Sequence, residues 1–430
     1  MKLMNIITID CGASFIKASR FYENKIRNTI KIPTPPDNDL NKLSKSIEII
    51  YRIIEDLSNV GEELHLGFSN EMHGFVLTDI NGKALTPYIS WQKEYSENSH
   101  FDINRKIEKS DIIKSGMPIK KGLPSVNLYH CLLKKIFDKN TSLYFYTLGD
   151  YYIRLLSGKQ PYIHKSNAAA TGLYDLESDK WNEKMINEII GKKNIIFPKI
   201  HTNQNTIKCE ILNRTVYLYP ALGDQQAALY GSGLSDEKVL SLNFGTGAQM
   251  SVLLSAIEFS DNYQVRPYFK NKYIKTIPHI PSGRAINVYF NFIKEIIKAY
   301  NNIPDNEIWD YINNEVVSNQ KELLNVDLSF FTNAITDSCK ASISNIYEDG
   351  FTVGNLFESI YMQFIENIDT IYNKLGKPEI NKIIISGGVI NKNSYLKNKI
   401  SELFNYINDI EYAQEETAKG IAKYILNYKE

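Results

Sequence analysis

Asn5-Ile6-Ile7-Thr8-Ile9-Asp10-Cys11-Gly12-Ala13-Ser14-Phe15-Ile16-Lys17-Ala18-Ser19-Arg20 decides the fold of this chain. Residues 5–10 are an apolar run that reads as a buried strand, and Cys11-Gly12-Ala13-Ser14 is a turn of small residues. Phe15 to Arg20 then reads as a second strand returning antiparallel. The design recurs about half a chain later. Val239-Leu240-Ser241-Leu242-Asn243-Phe244 reads as a strand, Gly245-Thr246-Gly247 as a tight turn, and Gln249 to Leu253 as the return strand. Two such hairpins in one chain imply a duplicated domain.

Between the hairpins the pattern is α/β. Leu40, Leu43, Ile47, Ile50, Ile54 and Leu57 recur in steps of three and four, one face of a helix, before a strand at Glu63–Phe68. Val216 to Leu222 reads as a strand ending at Gly223-Asp224, with a helix over Gln225–Tyr230. The second half closes with a helix over 353–375, a strand at Lys382–Ser386 followed by Gly387-Gly388, a helix from about Asn393 and a last helix near 414–427. The boundary between copies is expected near residue 230, giving domains 1–230 and 231–430. At 430 residues the chain exceeds what one core usually holds, which agrees with two domains.

Composition excludes several classes of function. Lys plus Arg and Asp plus Glu are equal at 49 each, so no broad basic face for nucleic acid or anionic membrane is expected. The four cysteines, Cys11, Cys131, Cys209 and Cys339, form no CxxC pair, which argues against zinc and a disulfide framework. Cys11 reads as a small buried residue. The start lacks a signal-peptide pattern, and no apolar run approaches the roughly 18 residues of a membrane span. A cytoplasmic protein, monomer or homodimer, is expected.

Each chemical motif has two readings. Asp10-x-Gly12-Ala13-Ser14-x-x-Lys17 can cradle phosphate with its amides, the Ser14 hydroxyl and Lys17, with Asp10 holding Mg2+ through water, or it can be a plain hairpin turn. Gly245-Thr246-Gly247 has the same two readings. No Walker loop or protein-kinase catalytic loop is present. Asp224 can be a helix N-cap, or a general base taking the proton of an attacking hydroxyl. Met72, His73, Trp91 and Gln92 are polar groups interleaved with apolar and aromatic ones, which suits a sugar, although a lone histidine is often structural. Gly387-Gly388 can admit a flat base such as adenine, or simply turn the chain.

In this order the segments resemble the FGGY carbohydrate kinase family over nearly the whole chain. Asp10–Lys17 is similar to its first phosphate loop, Glu71-Met72-His73-Gly74 to its sugar segment, and Trp91-Gln92 to its Trp-Gln/Asn-Asp. Gly149-Asp150-Tyr151 and Ser166–Gly172 with Trp181 are similar to its mid-domain signatures. Gly223-Asp224-Gln225-Gln226-Ala227 resembles its catalytic segment, Gly245-Thr246-Gly247 its second phosphate loop, and Ser386-Gly387-Gly388 its adenine loop. The resemblance implies two ribonuclease-H-like, actin-like ATPase domains with sugar and ATP in the cleft between them. It implies Asp224 as the base, with Met72, His73, Trp91, Gln92 and Asp224 on the sugar. Gly12, Ser14, Lys17, Gly245, Thr246, Gly387, Gly388 and Asn391 would hold ATP, and Asp10 would hold Mg2+. Three stretches, Leu222–Ala228, Asn243–Met250 and Arg266–Ile274, are most similar to sedoheptulokinase, so sedoheptulose is the expected acceptor. Other ketoses such as xylulose or ribulose, or a non-catalytic sensor on the same scaffold, are the alternatives. The sequence departs from the pattern at Glu71, Ala13, Lys93 and Ser282-Gly283-Arg284. Glu71 could accept from a sugar hydroxyl or face solvent.

Overall fold

The computed structural model describes all residues except 1–3, 24, 94–97, 134–141, 192–193, 203–204, 300–301, 337, 392 and 429–430, and of residues 98–101 and 391 it describes the backbone alone. Two sheets organise the chain. In the first, Asn5–Cys11, Phe15–Tyr22 and Lys25–Pro33 form an antiparallel meander. Glu63–Asn70 then lies parallel to the first strand on its other side, with Arg214–Leu218 parallel beyond it. In the second, Val239–Phe244, Ala248–Leu254 and Tyr273–Ile280 form the meander. Lys382–Ser386 lies parallel to its first strand, and Asp409–Tyr412 lies parallel beyond that. The order is the same in both, so the duplication expected from the hairpins is present in the topology.

Several expectations needed correction. Leu40 is 86% exposed, because the helix begins only at Lys42 and buries Leu43, Ile50, Ile53, Ile54 and Leu57. The strand expected over Val216–Leu222 is interrupted. It runs as Arg214–Leu218 and resumes at Leu222–Gly223, with Pro220, which has no N–H to donate, in the break. The third strand of the first meander, Lys25–Pro33, escaped sequence reading. It is an edge strand with no fully buried residue, so its apolar pattern is weak. Among the described residues no helix is long and apolar enough to cross a membrane, and no group of His, Cys, Asp and Glu could hold a metal ion by itself.

The two sheets share a core. Helix Asp224–Ser232 follows the first sheet, helix Glu416–Leu426 follows the second, and the two cross. The crossing is made backbone to backbone. A Cβ on Gly231 would lie 1.7 Å from the Glu416 carbonyl oxygen, and one on Gly420 would lie 1.8 Å from that of Ala227. Ile421 and Ile425 of the second helix press on Gly67 in the first sheet. Ile6, Leu222, Ala227, Val239, Ile384 and Ile421 thereby belong to one apolar cluster drawn from both halves.

Candidate active site

Asp10 and Lys17 of the first meander and Gly245 and Thr246 of the second line two cavities that share Gly388. In the first, Asp10 ends a strand whose register places it beside Lys17 on one side and Ser69 on the other. Ser69 Oγ donates to Asp10 Oδ1 at 2.7 Å. Burial pushes the Asp10 carboxyl above its ordinary range, against the pull of Ser69 and Lys17. The turn itself is held from just past the third strand. Thr34 Oγ1 donates to the Gly12 carbonyl at 2.8 Å, and the Thr34 amide donates to the Ser14 carbonyl at 3.0 Å. The Ser14 side of the turn is left exposed. Asp10, Lys17, Gly387, Gly388 and Glu416 line a cavity of about 380 Å³. One or two carboxylates beside open space is the donor set that Mg2+ takes with its waters, so Asp10 suits that ion.

A second cavity, of about 670 Å³, joins the first at Gly388 and is lined by Gly245, Thr246, Gly283, Arg284, Trp309 and Val389. The two glycines after the strand Lys382–Ser386 differ in role. Gly387 has φ +99°, and a Cβ there would lie 2.3 Å from the Phe244 carbonyl oxygen, so the fold itself requires glycine. A Cβ on Gly388 would meet nothing within 4 Å. That open space is where a ligand can approach the backbone. Asn391 ends the short helix Gly388–Asn391, and its side chain lies outside the described residues.

Asp224 opens its helix from the end of the first sheet. Its own backbone neighbour uses it, since the Gln225 amide donates to Asp224 Oδ1 at 2.8 Å. Burial and then the nearby charge of Asp10 raise its carboxyl to about 7. A carboxylate poised at that value exchanges a proton near neutrality. The mid-domain signature serves as the scaffold of this strand end. Ser166 Oγ accepts from the Gly223 amide at 2.8 Å, while Asn167 Nδ2 donates to Asn70 Oδ1 at 3.0 Å and to the Ala221 carbonyl at 2.9 Å. Asn70 and Gly223, the residues before Glu71 and Asp224, are thus fixed side by side.

His73 and Met72 reach the same place. His73 holds φ +64°, an unfavourable backbone for a side-chain-bearing residue. Its Nδ1 lies 2.6 Å from the Ala170 carbonyl. A carbonyl only accepts, so Nδ1 carries the proton and Nε2 is left as an acceptor. Burial, with Arg266 next, lowers the imidazole to about 3, so it stays neutral. Met72 is buried, with its sulfur 3.0 Å from where a Cβ on Gly223 would stand and 3.7 Å from Arg266 Nη1. Trp91 and Gln92 lie in an exposed turn.

Glu71 does not face solvent. It is 4% exposed and lies 3.6 Å from Lys42 Nζ. Lys42, itself buried, also pairs with Asp37 and lies over the Tyr88 ring at 4.7 Å. Glu71 is therefore part of a buried ion cluster beneath the loop.

Sequence reading gave no site role to Arg266. It is 5% exposed, and burial lowers its guanidinium to about 10. Its Nε and Nη2 donate to the neutral Gln264 Oε1 at 3.2 and 2.6 Å. A third cavity, of about 700 Å³, is lined by Lys120, Gln264, Thr276 and His279, with Thr276 tied to Gln225 by a 3.1 Å hydrogen bond.

Residues 5–231 match the model of the FGGY family of carbohydrate kinases, N-terminal domain. A glycerol kinase of Bacillus licheniformis is 25% identical over 269 residues, 57% of this chain and 54% of that protein. A xylulose kinase of Lactococcus lactis is 26% identical over 262 residues, 54% of this chain and 48% of its own length. The matched part thus spans about half the length of these relatives. Among solved structures, the ligand-bound xylulose kinase of Lactobacillus acidophilus superposes with a TM-score of 0.79 at 17% identity, covering 99% of this chain and 90% of that one. Plasmodium falciparum glycerol kinase with ADP gives 0.75 at 18% identity, covering 99% and 92%. These similarities establish the fold, two actin-like, ribonuclease-H-like domains.

Proposed function

The chain belongs to the FGGY family of carbohydrate kinases, and from that premise we propose that it is an ATP-dependent kinase of a sugar or polyol hydroxyl. We divide it at residue 230, inside the helix Asp224–Ser232, into an acceptor half, 1–230, and a nucleotide half, 231–430. The observation that carries the reading is the carboxyl of Asp224, poised at about 7 and within the field of Asp10 at the mouth of the first hairpin.

The acceptor hydroxyl attacks the γ-phosphorus while Asp224 takes its proton. The bond from that phosphorus to the bridging oxygen breaks, and ADP leaves with the electron pair. Phosphoryl transfer depends mainly on positioning and charge neutralisation. Gly12, Ser14 and Lys17 hold the phosphates from one half, and Gly245 and Thr246 from the other. The base and ribose run along Gly387, Gly388 and Asn391. Asp10 would hold Mg2+, which would supply charge neutralisation at the phosphates. His73, with its Nε2 acceptor, takes a hydrogen bond from an acceptor hydroxyl, and Met72, Trp91 and Gln92 complete that side.

For the acceptor itself, the stretches Leu222–Ala228, Asn243–Met250 and Arg266–Ile274 favour sedoheptulose, phosphorylated to sedoheptulose 7-phosphate. One observation favours a second acceptor class. Arg266 is a buried cation hydrogen-bonded to neutral groups, and Lys120 lines the adjoining cavity, which suits a sugar acid. An ADP-release assay with sedoheptulose, xylulose, ribulose, fructose, glycerol and gluconate separates the readings. Sedoheptulose is expected to give the highest kcat/KM. A pentulose preferred tenfold, about 1.4 kcal/mol, removes the heptulose reading, and gluconate leading the panel establishes the second. Asp224→Asn should lower turnover by about 10²–10⁴-fold while ATP still binds. Wild-type turnover in that variant rules out Asp224 as the base.

A further inference from the structure

Arg284 stands where the sequence departs from its family, and its surroundings give the departure a use. It occupies the first turn of the helix Gly283–Lys298, which has no acidic residue there. A cation at that end opposes the helix dipole, so the position is unfavourable unless an anion joins it. Its backbone is built into the second hairpin turn. The Arg284 amide donates to the Thr246 carbonyl at 2.8 Å, and the Gly283 amide donates to that of Gly245 at 3.2 Å. Ser282, the residue before the helix, is 1% exposed, and its hydroxyl has no hydrogen-bond partner.

Arg284 is exposed, and a ring orients its guanidinium. It lies over the Phe331 ring, 3.4 Å from the centroid, and makes no ion pair among the described residues. Two acids line the same cavity, Asp305 and Asp310, and Asp305 is bound to Lys294. Phe331 belongs to a loop pinned to the second sheet, where the Ala334 amide donates to the His279 carbonyl at 3.1 Å. Thr332, Asn333 and His279 line the 700 Å³ cavity, whose Lys120 and His279 lie within the field of His73, and Arg284 lines the 670 Å³ cavity. The stacked pair Arg284–Phe331 therefore stands at the seam between the two cavities, beside the turn Gly245-Thr246.

We infer that Arg284, laid flat by Phe331, binds the polyphosphate of the nucleotide where the γ-phosphoryl group passes toward the acceptor. This rests on the kinase reading above. A guanidinium presents its donors in a planar fork that matches phosphate oxygens, and stacking on a ring pre-orients that fork. Arg284 neither gives nor takes a proton. It compensates charge on the phosphate oxygens while the bonds at phosphorus exchange.

The test measures binding by calorimetry, with ATP, ADP and adenosine against wild type, Arg284→Gln, Arg284→Lys and Phe331→Leu. Arg284→Gln should weaken ATP about tenfold and leave adenosine within about twofold, since only the phosphates lose a charged partner. Phe331→Leu and Arg284→Lys should fall between, and retained adenosine binding certifies that each variant is folded. ATP affinity unchanged in Arg284→Gln overturns the inference, as does adenosine weakened as much as ATP, which would make Arg284 a wall of the base site. Failure of wild type to bind ATP or adenosine at all would remove the kinase reading itself.

Discussion

The two sheets use one position in two ways. In the first, Asp10 pairs in register with Ser69 on the neighbouring parallel strand and accepts its hydroxyl at 2.7 Å. In the second, Asn243 pairs in register with Ser386, and its Nδ2 donates to that hydroxyl at 2.9 Å. Strand, register and serine partner are the same, and the side chains are nearly the same shape. The two side chains differ by one ionisable group, and their antiparallel neighbours differ with them, Lys17 beside Asp10 and Gln249 beside Asn243. A duplicated fold thus gives an acid to the half that would hold a cation and a neutral amide to the other.

That comparison can be broken by exchange. Asp10→Asn copies the second sheet's chemistry into the first, so the protein should fold normally and lose about 10²-fold or more in turnover, as expected when a metal's charge stabilisation is weakened. Circular dichroism with steady-state kinetics checks both halves of the statement. Unchanged turnover would mean that Asp10 and Asn243 are interchangeable and that the asymmetry has no catalytic meaning.

A smaller effect comes from pH. A base at Asp224 would work only when deprotonated. Burial and Asp10 raise it to about 7, so kcat/KM should fall tenfold per unit below that pH and be level above it. In Asp10→Asn one of the raising charges is gone, so the acid limb should move to lower pH. A limb that stays in place would show that the two carboxyls do not sense each other.

The smallest effect is the reverse exchange. Asn243→Asp adds a carboxylate where phosphates are expected and should weaken ATP by about fivefold, a Coulomb term of about 1 kcal/mol at a solvated distance of a few ångströms. Ser386 remains able to donate to it, as Ser69 does to Asp10, so its melting temperature should hardly change. Stronger ATP binding in this variant would contradict the division of charge between the sheets.

The hairpins, the duplication and most strand and helix positions were legible because they rest on local signals, apolar runs closed by small-residue turns. What escaped depends on partners distant in sequence. Thr34 holds the first turn from just past the end of a strand whose alternation is masked by its exposed edge. Glu71 reads as a ligand until Lys42, on another element, is seen to pair with it. The signature Ser166–Asn167 names no chemistry in sequence, since its work is to tie Asn70 to Gly223 across the sheet. Arg266 lay inside a quoted stretch, yet only its burial against Gln264, within the field of Asp224, marks it as part of the site.

The crossing of the helices Asp224–Ser232 and Glu416–Leu426 has a consequence for biosynthesis. Gly231 and Gly420 lie roughly 190 residues apart, so a ribosome adding about 5–20 residues per second makes the second about ten to forty seconds after the first. Until then Gly67 and Ile6 at the back of the first sheet lack the cover of Ile421 and Ile425. The first half emerges early but is covered only when the last helix of the second half arrives, which leaves an apolar sheet face open while those roughly 190 residues are made.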